Sequence, residues 1–265
     1  MRELRLITYL APSIPLGLYK AVARHLSGVL HVPVALRSET RTSAPPPGEP
    51  DPFSTEEADL GFLCTPGYRW LIERTPPAVE LVGAAPVFAD PRAAGRPVFF
   101  SDVIVRNASH AQTLADLRGS VFAYNDNCSL SGYLSVFPEL ARLGAGIEFF
   151  RTMVATGAHS ASIRAVATGA ADVAAIDSNV LAVELAREPA LAGRIRVLTS
   201  WGPHTIQPVV ARATLPASIQ TRITTALLDM HRDGETRHAL AAAGVLRFAP
   251  VTPADYGIVP AQKVA

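Results

Sequence analysis

Asn125-Asp126-Asn127-Cys128-Ser129-Leu130-Ser131-Gly132-Tyr133-Leu134 is the stretch on which the fold turns. It comes after the apolar run 121–124, which reads as a strand. It enters a segment where Leu130, Tyr133, Leu134 and Phe137 keep helical spacing. A strand that feeds a helix through a polar turn is one unit of an α/β sheet. Either Ser129 or Ser131 can cap the helix. A helix start offers free backbone N–H groups and about half a positive charge. Two hydroxyls and a glycine beside it make a cradle for an anion. The same residues also suit an ordinary serine-capped helix. Pro138 kinks a long helix here, which sets the first turn apart from the later ones.

Outward from this stretch, short apolar strands alternate with helical patterns. Strands are expected at 4–10, 32–38, 59–63, 79–85, 98–105, 149–154, 173–176, 195–199 and 206–211. Helices are expected near 16–26, 68–74, 160–168, 180–187, 219–230 and 235–243. The Pro-, Ser- and Gly-rich segment 40–52 is a surface loop. The alternation predicts mostly parallel sheets with helices on both faces, in two lobes. In such sheets ligands bind beyond the carboxyl ends of strands, which directs attention to Tyr9, 64–65, 125–131, 156–159 and 177–179.

Two of those places carry chemistry. His159, in Gly157-Ala158-His159-Ser160, sits between a strand and a helix. It is either a loop histidine turned to solvent or a group that meets an anion, which would raise its pKa. Asp177 closes the strand Asp172-Val173-Ala174-Ala175-Ile176-Asp177. It is either the cap of the next helix or an acceptor for a protonated ligand oxygen or ammonium. Asp172, at the other end, is expected to face solvent.

The bulk numbers suit a well-filled globular core and argue against disorder. The 265 residues suffice for one large or two modest domains, 49% are apolar and 18% charged. A net charge of +1 advertises neither nucleic acid nor an acidic membrane. No apolar stretch is long enough to span a bilayer. Glu3 and Arg5 interrupt the first apolar residues, so the start reads as a strand rather than an export signal. That leaves a trimmed chain or a cytosolic one as the expectation. Cys64 and Cys128 form no disulfide framework and read as buried or half-exposed thiols. A metal held by Cys64, Cys128 and His159 would need both thiols in the cleft.

Three motifs in order now carry a resemblance: Ser-x-Ser-Gly-Tyr-Leu at 129–134, Gly-x-His with Ala-Val-Ala-x-Gly at 157–169, and Asp-Val-Ala-Ala-Ile-Asp at 172–177. Together with Asp59-Leu60-Gly61-Phe62-Leu63, Phe99-Phe100-Ser101 and Ala115-Asp116-Leu117-Arg118-Gly119, they resemble the phosphate, phosphite and phosphonate substrate-binding proteins of ABC transporters, over roughly 4–245. The resemblance implies a two-lobed type II periplasmic-binding-protein fold, α/β, with lobe one at 1–102 and 205–265, lobe two at 103–204, and the ligand in the cleft between. It implies that Ser129, Leu130, Ser131 and Gly132 hold the ligand's oxygens and that His159 and Asp177 complete that lobe's share. First-lobe aromatics, Tyr9, Tyr68 and Phe99, would close over it. Leu130 stands where the family often has Thr, and Phe99 where it often has Tyr. Both losses favour a ligand with fewer polar oxygens or an apolar substituent. The resemblance further implies a small oxyanion ligand, a transporter permease as partner, a monomer outside the cytoplasm, and no cofactor, metal or nucleic acid. A cytosolic sensor of the same fold is the alternative. A hydrolase using Ser129, His159 and Asp177 is disfavoured because no Gly-x-Ser-x-Gly elbow is present.

Overall fold

Leu18, Val22, Leu26 and Leu30 recur every four residues, and all are buried on one side of α1 (Leu16–Leu30). This helix covers a sheet formed by β1 (Leu4–Thr8), β2 (Val34–Ser38), β3 (Leu60–Phe62) and β4 (Val79–Leu81), joined by a later strand. The structure is a computed structural model and describes residues 3–11 and 13–258. The C-terminal residues 259–265, expected in the first lobe, lie outside the described residues.

After α2 (Thr65–Ile72), the strand expected at 79–85 is two: β4 and β5 (Ala84–Phe88). Then comes β6 (Val98–Arg106), which opens a second sheet with β7 (Val121–Tyr124), β8 (Thr152–Ala155), β9 (Val173–Asp177) and β10 (Ile195–Thr205). Its helices are α3 (Val136–Arg142), α4 (His159–Thr168) and α5 (Ser178–Arg187). The chain then returns to the first sheet as β11 (Val209–Arg212) and continues through α6 (Ala217–Asp229) and α7 (Gly234–Ala242). It ends in β12 (Val245–Pro250), a strand the sequence pattern did not reveal, which pairs with β5.

Each sheet is mostly parallel, as the alternation predicts, with one reversed strand among its five. β1 is parallel to β2 and β3, but β11 runs antiparallel to β3 and β4. β7 is parallel to β8 and β9, but β6 runs antiparallel to β9 and β10. The cause is the double crossing. A strand entering a sheet from its neighbour arrives without a crossover helix and runs against the strands already there.

The central strands β6, β7 and β9 of the second sheet are buried on both faces, which explains their apolar runs. Val103, Val105, Phe122, Val173 and Ala175 face one core with Leu140 and Phe149. Ile104, Ala123, Ala174 and Ile176 face the larger core on the other side with Ile163 and Val166 of α4. In the first sheet, Asp59 is 2% exposed at the amino end of β3. It accepts from the Arg5 backbone N (2.9 Å), Nε (2.9 Å) and Nη2 (2.9 Å), and from Arg212 Nη2 (3.1 Å), tying β1, β3 and β11 together.

Candidate functional site

At the opposite ends of these strands lies a small cavity of about 40 Å3. Tyr9 and Leu10 follow β1, Cys64 follows β3, Asn125 follows β7, His159 follows β8 and Asp177 ends β9. Ser13 and Ile14 precede α1, Ser129 and Ser131 stand at the π-type turn Leu130–Leu134, and Val180 lies in the first turn of α5. Helix starts therefore converge on one space from α1, α2, the π-type turn, α4 and α5. Each brings the partial positive charge of a helix start. Among the described residues, no lysine or arginine lines the cavity.

The Ser-rich stretch folds as its spacing suggests. Ser129 caps the turn, its Oγ accepting from Gly132 N at 3.0 Å, and α3 starts separately after Ser135. Ser131 Oγ is therefore free to meet His159 Nε2, at 3.4 Å. Gly132 has no side chain for a packing reason: a Cβ there would collide with Asn125 Oδ1 and reach within 3.0 Å of His159 Cε1. Gly132 thus shapes the cavity wall without lining it.

His159 is 6% exposed at the first position of α4. Burial pulls its imidazole down to about 4, so the ring is neutral, and its Nδ1 has no hydrogen-bond partner. The reading of a loop histidine turned to solvent does not hold in this interior. Asp177 performs the capping role: its Oδ1 accepts from Asn179 N at 2.8 Å and Val180 N at 3.4 Å. Its Oδ2 accepts from Gln207 Nε2 at 2.5 Å. Burial outweighs these bonds and pushes its carboxyl up to about 6. Burial likewise pushes the Tyr9 hydroxyl up and the Cys64 thiol up to about 12.

Two more contacts join the sheets around the cavity. Ser43 Oγ donates to Asp126 Oδ2 at 2.5 Å, and Leu130 N donates to Cys64 Sγ at 3.2 Å. Cys64 is thus occupied as an acceptor. Cys128 is buried outside the cavity lining, and no cluster suited to a metal occurs among the described residues.

Of the residues singled out by sequence, the structure brings Tyr9, Ser129, Ser131, His159 and Asp177 together. Leu130 offers only its backbone to Cys64, and its side chain packs on the core. Tyr68 stacks edge-on against Tyr256 at 5.5 Å and lies outside the lining. Phe99 is fully buried beside His204 at 5.5 Å, also outside it. Asp172, expected in solvent, is half-buried and accepts from Val121 N at 2.9 Å, fastening β9 to β7.

Sequence reasoning missed Gln207, Ser43, Leu10, Ser13, Ile14 and Val180. Gln207 precedes a strand, whereas the carboxyl-end rule points to residues after strands. Because β11 is antiparallel, its start lies beside the carboxyl end of β3. The available signal was a lone amide before Pro208 in an otherwise apolar run.

Ser129, His159 and Asp177 form no catalytic relay. Ser129 Oγ is engaged with Gly132 N, and His159 makes no hydrogen bond to Asp177 among the described residues. Two α/β sheets meeting at a dipole-lined pocket define a solute-binding protein of the periplasmic type II fold. The family model described as "ABC transporter, phosphonate, periplasmic substrate-binding protein" matches residues 16–256. The chain belongs to that family and is a ligand-binding transport component. Similar solved structures include a binding protein component of an ABC phosphonate transporter from Pseudomonas aeruginosa. It has a TM-score of 0.79 and 16% identity, over 96% of this chain and 83% of that one. PhnD1 from Prochlorococcus marinus, in complex with methylphosphonate, gives 0.77 and 16%, over 96% and 94%. The aliphatic sulphonate binding protein SsuA from Escherichia coli gives 0.62 and 16%, over 96% and 88%.

Proposed function

We propose that this chain captures a small phosphorus oxyanion in the cavity and releases it unchanged to a membrane permease. The observation that carries the reading is the convergence of helix starts on a small polar space without a cation among its described lining residues. Such a site holds an anion by oriented N–H groups and hydroxyls rather than by ion pairing, so release needs no salt bridge to be broken. Ser129, Ser131 and the N–H groups of their turn grip the oxygens. His159 Nε2 adds a donor once the anion stabilises its proton. Asp177, the one charged side chain among the described lining residues, meets an acidic ligand O–H. Tyr9 closes the first-lobe side. Leu130, Tyr68 and Phe99, outside the lining, act through packing.

The reading includes the division of the chain. Lobe two is 103–204, the rest is lobe one, and β6 and β10 form the hinge as neighbouring antiparallel strands with a bulge between Trp201 and His204. The protein acts as a monomer outside the cytoplasm and catalyses nothing. Calorimetry with phosphite, methylphosphonate, phosphate and sulfate tests the reading. Micromolar or tighter binding of a phosphorus oxyanion, with recovery of unaltered ligand, supports it. Ligand turnover that disappears in Ser129→Ala would replace it with an enzyme.

A further inference from the structure

We propose that Ser43 and Asp126 form an interlobe latch, a pair that sets how long the cleft stays closed and takes no part in choosing the ligand. The inference rests on the reading of two lobes that close about β6 and β10.

The contact joins the lobes. Ser43 lies in the proline-rich loop of lobe one, and Asp126 follows β7 in lobe two, 83 positions away. Ser43 Oγ donates to Asp126 Oδ2 at 2.5 Å and accepts from Asn125 Nδ2 at 3.2 Å. Each half is fixed by its own lobe. Ser43 O accepts from Cys64 N at 2.9 Å. Ala44, next to it, is fully buried and so close to Gly67 that a Cβ on that glycine would collide with it. On the other side, Asp126 Oδ1 accepts from Cys128 N at 2.9 Å, and Oδ2 accepts from Asn125 Nδ2 at 2.8 Å. A hydroxyl and a carboxylate held in this way meet with little ordering left to do.

The chemistry of the pair suits a latch that also releases. Asp126 is 8% exposed, and burial pushes its carboxyl up. Its side-chain partners are a hydroxyl, an amide and a backbone N–H. Closing strips water from this carboxylate and returns a charge-assisted hydrogen bond from lobe one, and the two terms oppose each other. An arginine in place of Ser43 would hold the lobes shut, whereas a serine leaves closure to the ligand. Without the hydroxyl the desolvation remains and the bond does not, so its loss falls on the closed form alone. Ser43 also borders the cavity, and Asp126 does not. A double-mutant cycle therefore separates a latch from a direct ligand contact.

Stopped-flow kinetics with phosphite and methylphosphonate, and small-angle scattering of the unliganded chain, test the pair. Ser43→Ala is expected to raise the dissociation rate about 10- to 100-fold and to change the association rate less than about twofold. It is also expected to enlarge the unliganded radius of gyration. Ser43→Thr, which keeps the hydroxyl, restores both values. The double variant Ser43→Ala/Asp126→Ala should dissociate at the rate of Asp126→Ala, because the partner of the hydroxyl is already gone. Effects that multiply instead give Ser43 to the ligand and overturn the latch. If Asp126→Ala does not fold, Asp126→Asn, which keeps an acceptor for Cys128 N, takes its place in the cycle. An unchanged dissociation rate in Ser43→Ala overturns the latch and leaves the two-lobe reading standing. A wild-type radius that a bound oxyanion does not shrink overturns that reading and the latch with it. If neither oxyanion binds, the unliganded radius decides: equal values for wild type and Ser43→Ala overturn the latch, and a larger one in Ser43→Ala supports it.

Discussion

Two buried aspartates at opposite ends of the strands are held in opposite ways. Asp59, at the amino end of β3, is clamped by Arg5 and Arg212. Burial works to raise its pKa, but the arginine hydrogen bonds outweigh burial and hold the carboxyl below its usual range. Asp177, at the carboxyl end of β9, is equally buried and has no cation beside it among the described residues, only amide donors. Its carboxyl rises to about 6. Where the strands begin, charge is neutralised by fixed partners. Where they end, among helix starts, the carboxyl is held by neutral donors alone among the described residues.

Removing the clamp tests the first half of that contrast. Asp59→Ala leaves two arginines facing a hole, and is expected to cost about 3 kcal/mol, at the low end for a broken buried pair because Arg5 is 40% exposed. Urea denaturation reads the loss. Ligand affinity of the folded fraction should stay at the wild-type value; a large affinity loss would mean that the two ends are not separable.

The second test uses opposite pH slopes. Asp177 has a folded pKa raised from 3.8 to about 6, so its contribution is fully present below about pH 4 and lost as pH rises through 6. At 1.36 kcal/mol per unit this amounts to at most about 3 kcal/mol. Asp59 is depressed, so its contribution is present above pH 4 and lost as pH falls. Asp177→Asn should flatten the stability profile between pH 4 and 7 in the unliganded protein. An unchanged profile there would show that Asp177 is not the group that titrates.

Ser131→Ala acts at the cavity alone. It should weaken the tightest oxyanion by about 1.5–3 kcal/mol, or roughly 10- to 100-fold, and move the unliganded melting temperature little. Unchanged affinity in calorimetry would remove Ser131 from the ligand's partners.

The smallest effect expected is the pH dependence of affinity through His159. Its unliganded pKa is lowered to about 4, and an anion raises it. Affinity for a ligand of fixed charge, such as a sulfonate, is therefore highest below pH 4 and weakens as pH climbs to the bound-state value. His159→Gln retains a donor without the titration. Parallel profiles for the two proteins would show that the ring does not sense the anion.

Much of this arrangement is legible from local pattern. The spacing of Leu18, Val22 and Leu26 gives α1, the run 121–124 gives β7 to the residue, and Ser129 with Gly132 gives a capped turn. Tyr68 and Phe99 misled because an aromatic near a strand end signals burial as readily as contact with a ligand, and here both feed the core. The strand β12 escaped because Arg247 breaks its apolar run; its pairing with β5, over 150 residues away, supplies the order that local propensity lacks.

By itself, then, the sequence determines where strands end and helices begin, and so where N–H groups and hydroxyls gather. Those are properties of a few adjacent residues, set by spacing and capping chemistry. Tertiary structure decides the direction of β11, and with it the arrival of Gln207 at Asp177. It decides that Ile14 and Val180 wall the cavity and that Ser43 reaches Asp126. It also decides the protonation of His159 and Asp177, because burial is a property of everything packed around a side chain. Each of these joins residues far apart in the chain, and only packing brings them within reach.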